Sequence, residues 1–596
     1  MPHPRPLILF TIFSLALLRC GSDLDFEDEF DFPVPPEPPP AEPTLPEGPV
    51  VRADVAPPPI SGGTLAIDPT DTWMVAADPD RDRVYVLGFD GLGVPELLRT
   101  VELRPGDEPG RVVFSGEDEV TVVLRGADAV VRVDLVEGEV TSRRTTCAEP
   151  RSVLADAAQT VVACASGQVW TLAAGEAGPT DQVFVARDLR DLVPGRDGPS
   201  VTTFRAARVW SVEARTAVDL ETPSGAAPRV AWRTRALSDG SLVVLHQEAS
   251  TREVSIEPGG YGATSSGLGC GGIVASVVTR VKPDGEQEPW VEGAAIGLAV
   301  DVAVDEVRGR VAIASPSMSK ASQGVSVLEF EVPEARATPR CAFPIRRLDH
   351  RSAVAVEYDS QGRLFVQTRE PARVVRADNG FFAALTAESV EDTGHDLFHA
   401  VTRQGVACAS CHPEGREDAH TWVFRGIGPR RSQNLLGGFA STAPFHWDGD
   451  FAEFGELVDD VFVSRMGGGV SSPDEADALR DWLDRQPAMT PPEPADDALV
   501  ERGRALFHGE ATGCTGCHFD ERLGGPGAFD VGTGGSFQVP ALENLAYRAP
   551  YMHDGCALRL EERLVDLDCG GGDAHGVTSS LDGEDRRALS AYLLSL

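Results

Sequence analysis

"TWMVAADPDRDRVYVLGF", Thr72–Phe89, is two apolar runs either side of a Pro-Asp-Arg-Asp break. Apolar and small residues alternate within each run, and Trp, Val and Tyr are enriched. That pattern predicts two strands joined by a turn. The same rhythm returns in "EVTVVLRG", "AVVRVDL", "TVVACAS" and "QVWTLAA". A loose unit of turn, strand, turn and Val-x-Val begins near Asp71, Glu117, Ala158, Asp305 and Asp359. The stretch from 62 to 378 holds 317 residues. At ~40–45 residues per four-stranded blade this predicts a β-propeller of about seven blades. A pair of β-sandwiches is the alternative.

These degenerate repeats resemble the YVTN/lactonase-like and quinoprotein-like propellers, by rhythm and not by a fingerprint. The rest of the 596-residue chain is organised differently. Residues 1–20 carry Arg5 and then a twelve-residue apolar run, Leu7 to Leu18. That run is too short to span a bilayer and suits a signal peptide. "LLRC", ending at Cys20, resembles a bacterial lipoprotein signal. Arg19 departs from it, and an ordinary secretory signal is the alternative. Residues 21–61 are acidic and Pro-rich and predict an extended tether. The expected domains are then a propeller over 62–380 and two small all-α units over 381–490 and 491–596. The expected location is the periplasm or cell envelope, with a membrane link only through a lipid at Cys20. The net charge of −39 excludes nucleic acid as a partner and favours a basic one.

The two C-terminal units repeat one another. Gly394-x-x-Leu397-Phe398-His399 precedes "CASCH" (408–412), and Gly503-x-x-Leu506-Phe507-His508 precedes "CTGCH" (514–518). "APFHWDGD" matches "APYMHDG", and Asp448 and Asp554 each lie 36 residues beyond the motif histidine. Each unit closes with an amphipathic helix, predicted over 471–486 and 579–596. "QPAMTPPEPADD" is the Pro-rich joint between them, and the duplicated tail from about 381 to 596 is expected to be separable from the propeller. Two Cys three apart can form thioethers to one haem, and the His that follows becomes its proximal ligand. The spacing therefore predicts two covalent haem c groups, on Cys408, Cys411 and His412 and on Cys514, Cys517 and His518. A zinc clip would need four closed ligands, and a redox dithiol would not need the His. Outside the motifs and Cys20, six cysteines remain, and an exported chain favours disulfides. Nearest-neighbour pairing gives Cys147–Cys164, Cys270–Cys341 and Cys556–Cys569.

The duplicated region, about 385–596, resembles the di-haem cytochrome c peroxidase/MauG family. The likeness rests on "CASCH" with "WDGD" after it, and on "CTGCH" with "VPALENLAYRAPYMHDG" after it. It implies that Trp447 lies between the haems and relays electrons; a packing aromatic is the plain alternative. It also implies a distal ligand just after the helix that follows "WDGD", which points to Met466 for the first haem. The comparable place in the second unit holds Leu567 and Cys569, a departure. There the second haem is open, or capped by His575 or Met552. His420 and His446 are rivals for the first haem, and Met489 in the joint is set aside. His553, beside Asp554, is a candidate acid/base or a structural histidine. The function expected is an exported di-haem peroxidase or MauG-like oxidoreductase. It would draw electrons from a redox protein or small donor, act on hydrogen peroxide, and use the propeller to dock that partner. The alternative is a non-enzymatic electron-transfer protein.

Overall fold

The computed structural model describes residues 49–222, 224–262, 268, 272–294, 296–316, 326–332, 344–469 and 471–596. The signal segment with Cys20 and the Cys270–Cys341 pairing lie outside the described residues.

Seven separate four-stranded antiparallel sheets run over 65–102, 109–145, 150–184, 189–219, 227–294, 301–348 and 353–384. In each, the strands follow one another in chain order from the centre outwards. The innermost strands touch their neighbours in a closed ring, the last against the first. This is a seven-bladed propeller and not a pair of sandwiches. The ring closes without a shared strand: Gly63 N–H donates to Val354 O, and Gln367 Nε2 donates to Ala77 O. In the opening stretch, Met74–Asp78 is buried on both faces, because blades pack on each side of it. The aspartates mark the turns by a shared device. Asp68, Asp90, Asp156 and Asp359 each accept backbone N–H groups two to five residues on.

The last strand of the seventh blade ends at Ala384, so the helical region begins later than 381. It contains α1 (Thr393–His399), α2 (Cys408–Cys411), α3 (Phe454–Leu457), α4 (Pro473–Asp484), α5 (Asp497–Phe507), α6 (Leu560–Val565) and α7 (Gly583–Leu594). The closing helices α4 and α7 were expected from their patterns. Ser472 caps α4 in a capping box with Glu475, and Asp582 caps α7. The halves are not all-α. Each also carries a two-stranded hairpin, Thr421–Phe424 with Gly428–Arg431 and Ala528–Asp530 with Ser536–Gln538. Glycines at the turns permit them, with Gly426 and Gly534 at φ 79° and 88°.

Two expectations from composition change here. Residues 51–61 are not free tether. Arg52 pairs with Asp481, Pro57 O accepts from Trp482 Nε1, and Ile60 N–H donates to His399 Nε2. Nor does the helical region stand apart from the propeller. One apolar core joins Phe204, Trp232, Leu298 and Val300 of the blades to Leu397, Phe398, Trp422, Phe454 and Trp482. Pro-richness reports a stiff backbone, not an unpacked one. The second half, by contrast, has its own core of Val500, Phe507, Leu564, Leu589 and Tyr592.

Candidate functional site

Both halves are built on one helix crossing. Gly394 of α1 lies against Ala478 O and the Trp482 side chain of α4. Gly503 of α5 lies against Ala588 O and Tyr592 of α7. A Cβ at either glycine would collide, which explains the repeated glycine and its aromatic partner. Each crossing backs a cavity floored by a motif: about 220 Å³ in the first half and about 190 Å³ in the second.

The motif residues fit a covalently held haem in both cavities. Cys408, Cys411, Cys514 and Cys517 are all unbridged and line them. Burial pushes the Cys408 thiol up to about 12 and Cys411 well above the usual thiol range. Thiols raised in this way are not an activated redox pair. Among the described residues, no three His, Cys, Asp or Glu side chains converge to hold a bare metal ion. His412 donates from Nδ1 to Gln433 O at 2.8 Å, and His518 from Nδ1 to Leu523 O at 2.7 Å. That bond selects the tautomer whose Nε2 keeps its lone pair. Burial depresses both imidazoles, which keeps them neutral.

Trp447 lines both cavities, and its Nε1 donates to Arg431 O at 2.7 Å. Its ring lies 6.4 Å from that of His553 in the second-half cavity. His553 stacks on Phe537 at 3.8 Å, and burial lowers its pKa. Met466 is buried in the first-half cavity, just past the π-helical stretch Val458–Arg465. His446 shares that cavity, with Nδ1 3.2 Å from Asp450. His420 does not: its Nε2 donates to Ser250 O at 3.0 Å, and its ring packs on Trp422. It is thereby removed as a rival ligand. Met489 is buried against Tyr547 and Ala165, away from both cavities.

In the second half, Met552 and His575 both line the cavity. The His575 and His518 rings are 6.1 Å apart and within 24° of parallel. Leu567 is 73% exposed, and Cys569 is bridged to Cys556, so neither faces the cavity. Cys147–Cys164 is bridged as well, as nearest-neighbour pairing predicted.

Motif spacing does not reveal the charge around the first site. The loop after His412, "PEGRED", enters the mouth of the propeller's central channel, where Glu414 reaches Arg151 and Arg190 at the starts of the innermost strands of blades 3 and 4. Glu414 meets Arg190 at 2.5 Å, Arg151 at 3.0 Å and Arg125 at 3.5 Å. Arg416 binds Asp188 at 2.7 Å, and Glu417 joins Arg205 at 2.9 Å to Arg431 at 3.0 Å. Burial pushes the Glu414 carboxyl up, but Arg190, Arg151 and Arg125 outweigh it and hold it well below its usual range. Removing one member of such a buried set costs about 3–5 kcal/mol. The clustered charges in the sequence were a signal for this network, but they did not name the partners.

No family model matches the chain, and no curated protein matches it. Among solved structures, a chain of Kuenenia stuttgartiensis hydrazine synthase aligns at TM-score 0.42 and 12% identity, over 56% of this chain and 99% of that one. A hydrazine synthase chain pressurised with xenon aligns at TM-score 0.29 and 23% identity, over 34% and 86%. Virginiamycin B lyase from Staphylococcus aureus aligns at TM-score 0.36 and 8% identity, over 54% and 94%. These likenesses are too loose to carry function.

Proposed function

We propose that the chain is an exported di-haem c-type cytochrome acting as an oxidoreductase of the peroxidase or MauG-like kind. The observation that carries this reading is the pair of apolar cavities, each floored by Cys-x-x-Cys-His and sharing Trp447 as a wall. The cofactor-holding residues are Cys408, Cys411, Cys514 and Cys517, with His412 and His518 as proximal ligands. Bound there, haem supplies one-electron and peroxide chemistry. The residues around it divide the work. Met466, or His446 steadied by Asp450, caps the first site. Trp447 is the aromatic link between the cavities. His553, neutral and facing the second cavity, holds or accepts a proton from a bound peroxide. Two disulfides support an oxidising compartment, in keeping with export into the periplasm or cell envelope.

One observation favours the second reading, a pure electron-transfer protein. The His575 and His518 rings stand 6.1 Å apart and within 24° of parallel. Two imidazoles this close and nearly parallel could both serve one haem, were it bound there. If His575 caps the second site permanently, peroxide has no access there.

Pyridine haemochrome of the purified protein is expected to give two covalent haems per chain, and a count of one or none overturns the proposal. EPR of the ferric protein, with and without peroxide, then separates the readings. A high-spin or peroxide-displaced signal supports the enzyme. Two inert low-spin signals support electron transfer alone.

A further inference from the structure

We propose that the propeller's channel mouth is the part that aims His412. Glu414, gripped by Arg125, Arg151 and Arg190, holds the loop that carries Arg416 O, one of the two carbonyls beside the imidazole Nδ1. The inference rests on the two-haem reading and assigns the propeller a task within it.

His412 Nδ1 donates to Gln433 O at 2.8 Å and lies 3.2 Å from Arg416 O. Arg416 is two residues past Glu414, in a loop with little freedom of its own. Its guanidinium is tied to Asp188, and Glu417 beside it to Arg205. Glu414 itself has φ 55°, left-handed backbone for a residue with a Cβ. Such a conformation persists only where surrounding contacts over-determine it. The contacts are the three arginines, which come from the first strands of blades 3 and 4 and the link between the second and third strands of blade 2. Every residue of Pro413–Asp418 is buried.

The second half shows that a haem motif does not need this grip. The acceptor for His518 is Leu523 O, in a turn organised locally by Asp520, which accepts from Arg522 N at 2.9 Å and Gly524 N at 2.6 Å. Phe519 and Glu521 there are exposed. The carbonyl beside His518 thus sits in a self-contained turn, whereas His412 is shared between Gln433 O and the Arg416 carbonyl of a propeller-held loop. The channel mouth facing the first site is therefore occupied by the chain itself and is not where a partner protein docks.

The outer hydrogen bond of a metal-bound imidazole raises its basicity, so loosening it leaves the ligand poorer in electron density and raises the iron's potential. The test uses the full-length protein carrying Glu414→Gln or, with two arginines still on Glu414, Arg151→Gln. Positioning predicts that both variants raise the midpoint potential of the His412 site, shift its EPR g-values, and leave the His518 site unchanged. It also predicts faster amide hydrogen exchange over 413–418 and not over 519–524. A bare through-space charge effect predicts opposite signs, since one variant removes a negative charge and the other a positive one. Opposite signs, or unmoved potentials with unmoved exchange, overturn the proposal. Where Glu414→Gln does not fold, Arg151→Gln decides alone. A wild-type protein without two haems sinks the function proposed above, while the exchange measurement still decides the grip.

Discussion

The first and second halves of the C-terminal region contain the same parts and are anchored in different ways. Each has a glycine at a helix crossing, a Cys-x-x-Cys-His turn, a hairpin and an Ala-Pro-aromatic loop. The first half shares its apolar core with the blades and sends Glu414, Arg416 and Glu417 into the channel. The second half keeps its own core, and a disulfide ties Cys556 to Cys569 near the loop that carries His575. Duplication preserved the cavity, and tertiary contact determined what steadies it. A propeller fused to one copy makes that copy's environment charged, while the other copy packs Ala546 and Tyr547 on Ala165 of the blades and carries a covalent clamp of its own.

The comparison breaks first on truncation. A fragment spanning 381–596 is expected to lose the first half altogether, because Leu397, Phe398, Trp422 and Trp482 lose the blade side chains that bury them. Each such residue carries about 1.5–3 kcal/mol of burial. Hydrogen exchange should show protection surviving only beyond residue 497. A fragment that protects both halves equally refutes the shared-core account. The next effect is smaller and falls on the other half. Changing Cys556 and Cys569 together to Ser should cost about 2–4 kcal/mol in denaturant unfolding and loosen the His575 loop. The His412 side should be indifferent, and a matching change there would mean that the halves are not independently anchored. The smallest effect should be symmetric. Gly394→Ala and Gly503→Ala each force a Cβ into a facing carbonyl and should cost about 1–3 kcal/mol. Closely similar losses sharpen the picture of one crossing used twice, whereas a neutral change in either half shows that its helices can slide apart.

Much of this architecture was legible because its causes are local. Strand alternation and Asp-led turns depend on neighbours a few residues away, so seven blades could be expected from rhythm alone. The two motifs, the repeated Gly394 and Gly503, and the Cys147–Cys164 and Cys556–Cys569 bridges were readable for the same reason. Trp447, singled out by the resemblance, and His575, by its place beyond the departure at Leu567 and Cys569, both line cavities. The misreadings came where burial overrode composition. Residues 51–61 look like tether and are packed under α4. His420 looks like a ligand and is spent on Ser250 O.

The sequence by itself determined the repeating unit, the motif residues and the pieces of each half, since hydrogen bonding and periodicity act over short range. Only the tertiary structure decided which groups meet across the chain: Arg125, Arg151 and Arg190 around Glu414, His575 facing His518, and Trp447 between the cavities. Those meetings join residues up to hundreds of positions apart. They are set by which surfaces must leave water together and by which buried charges must find a partner when they do.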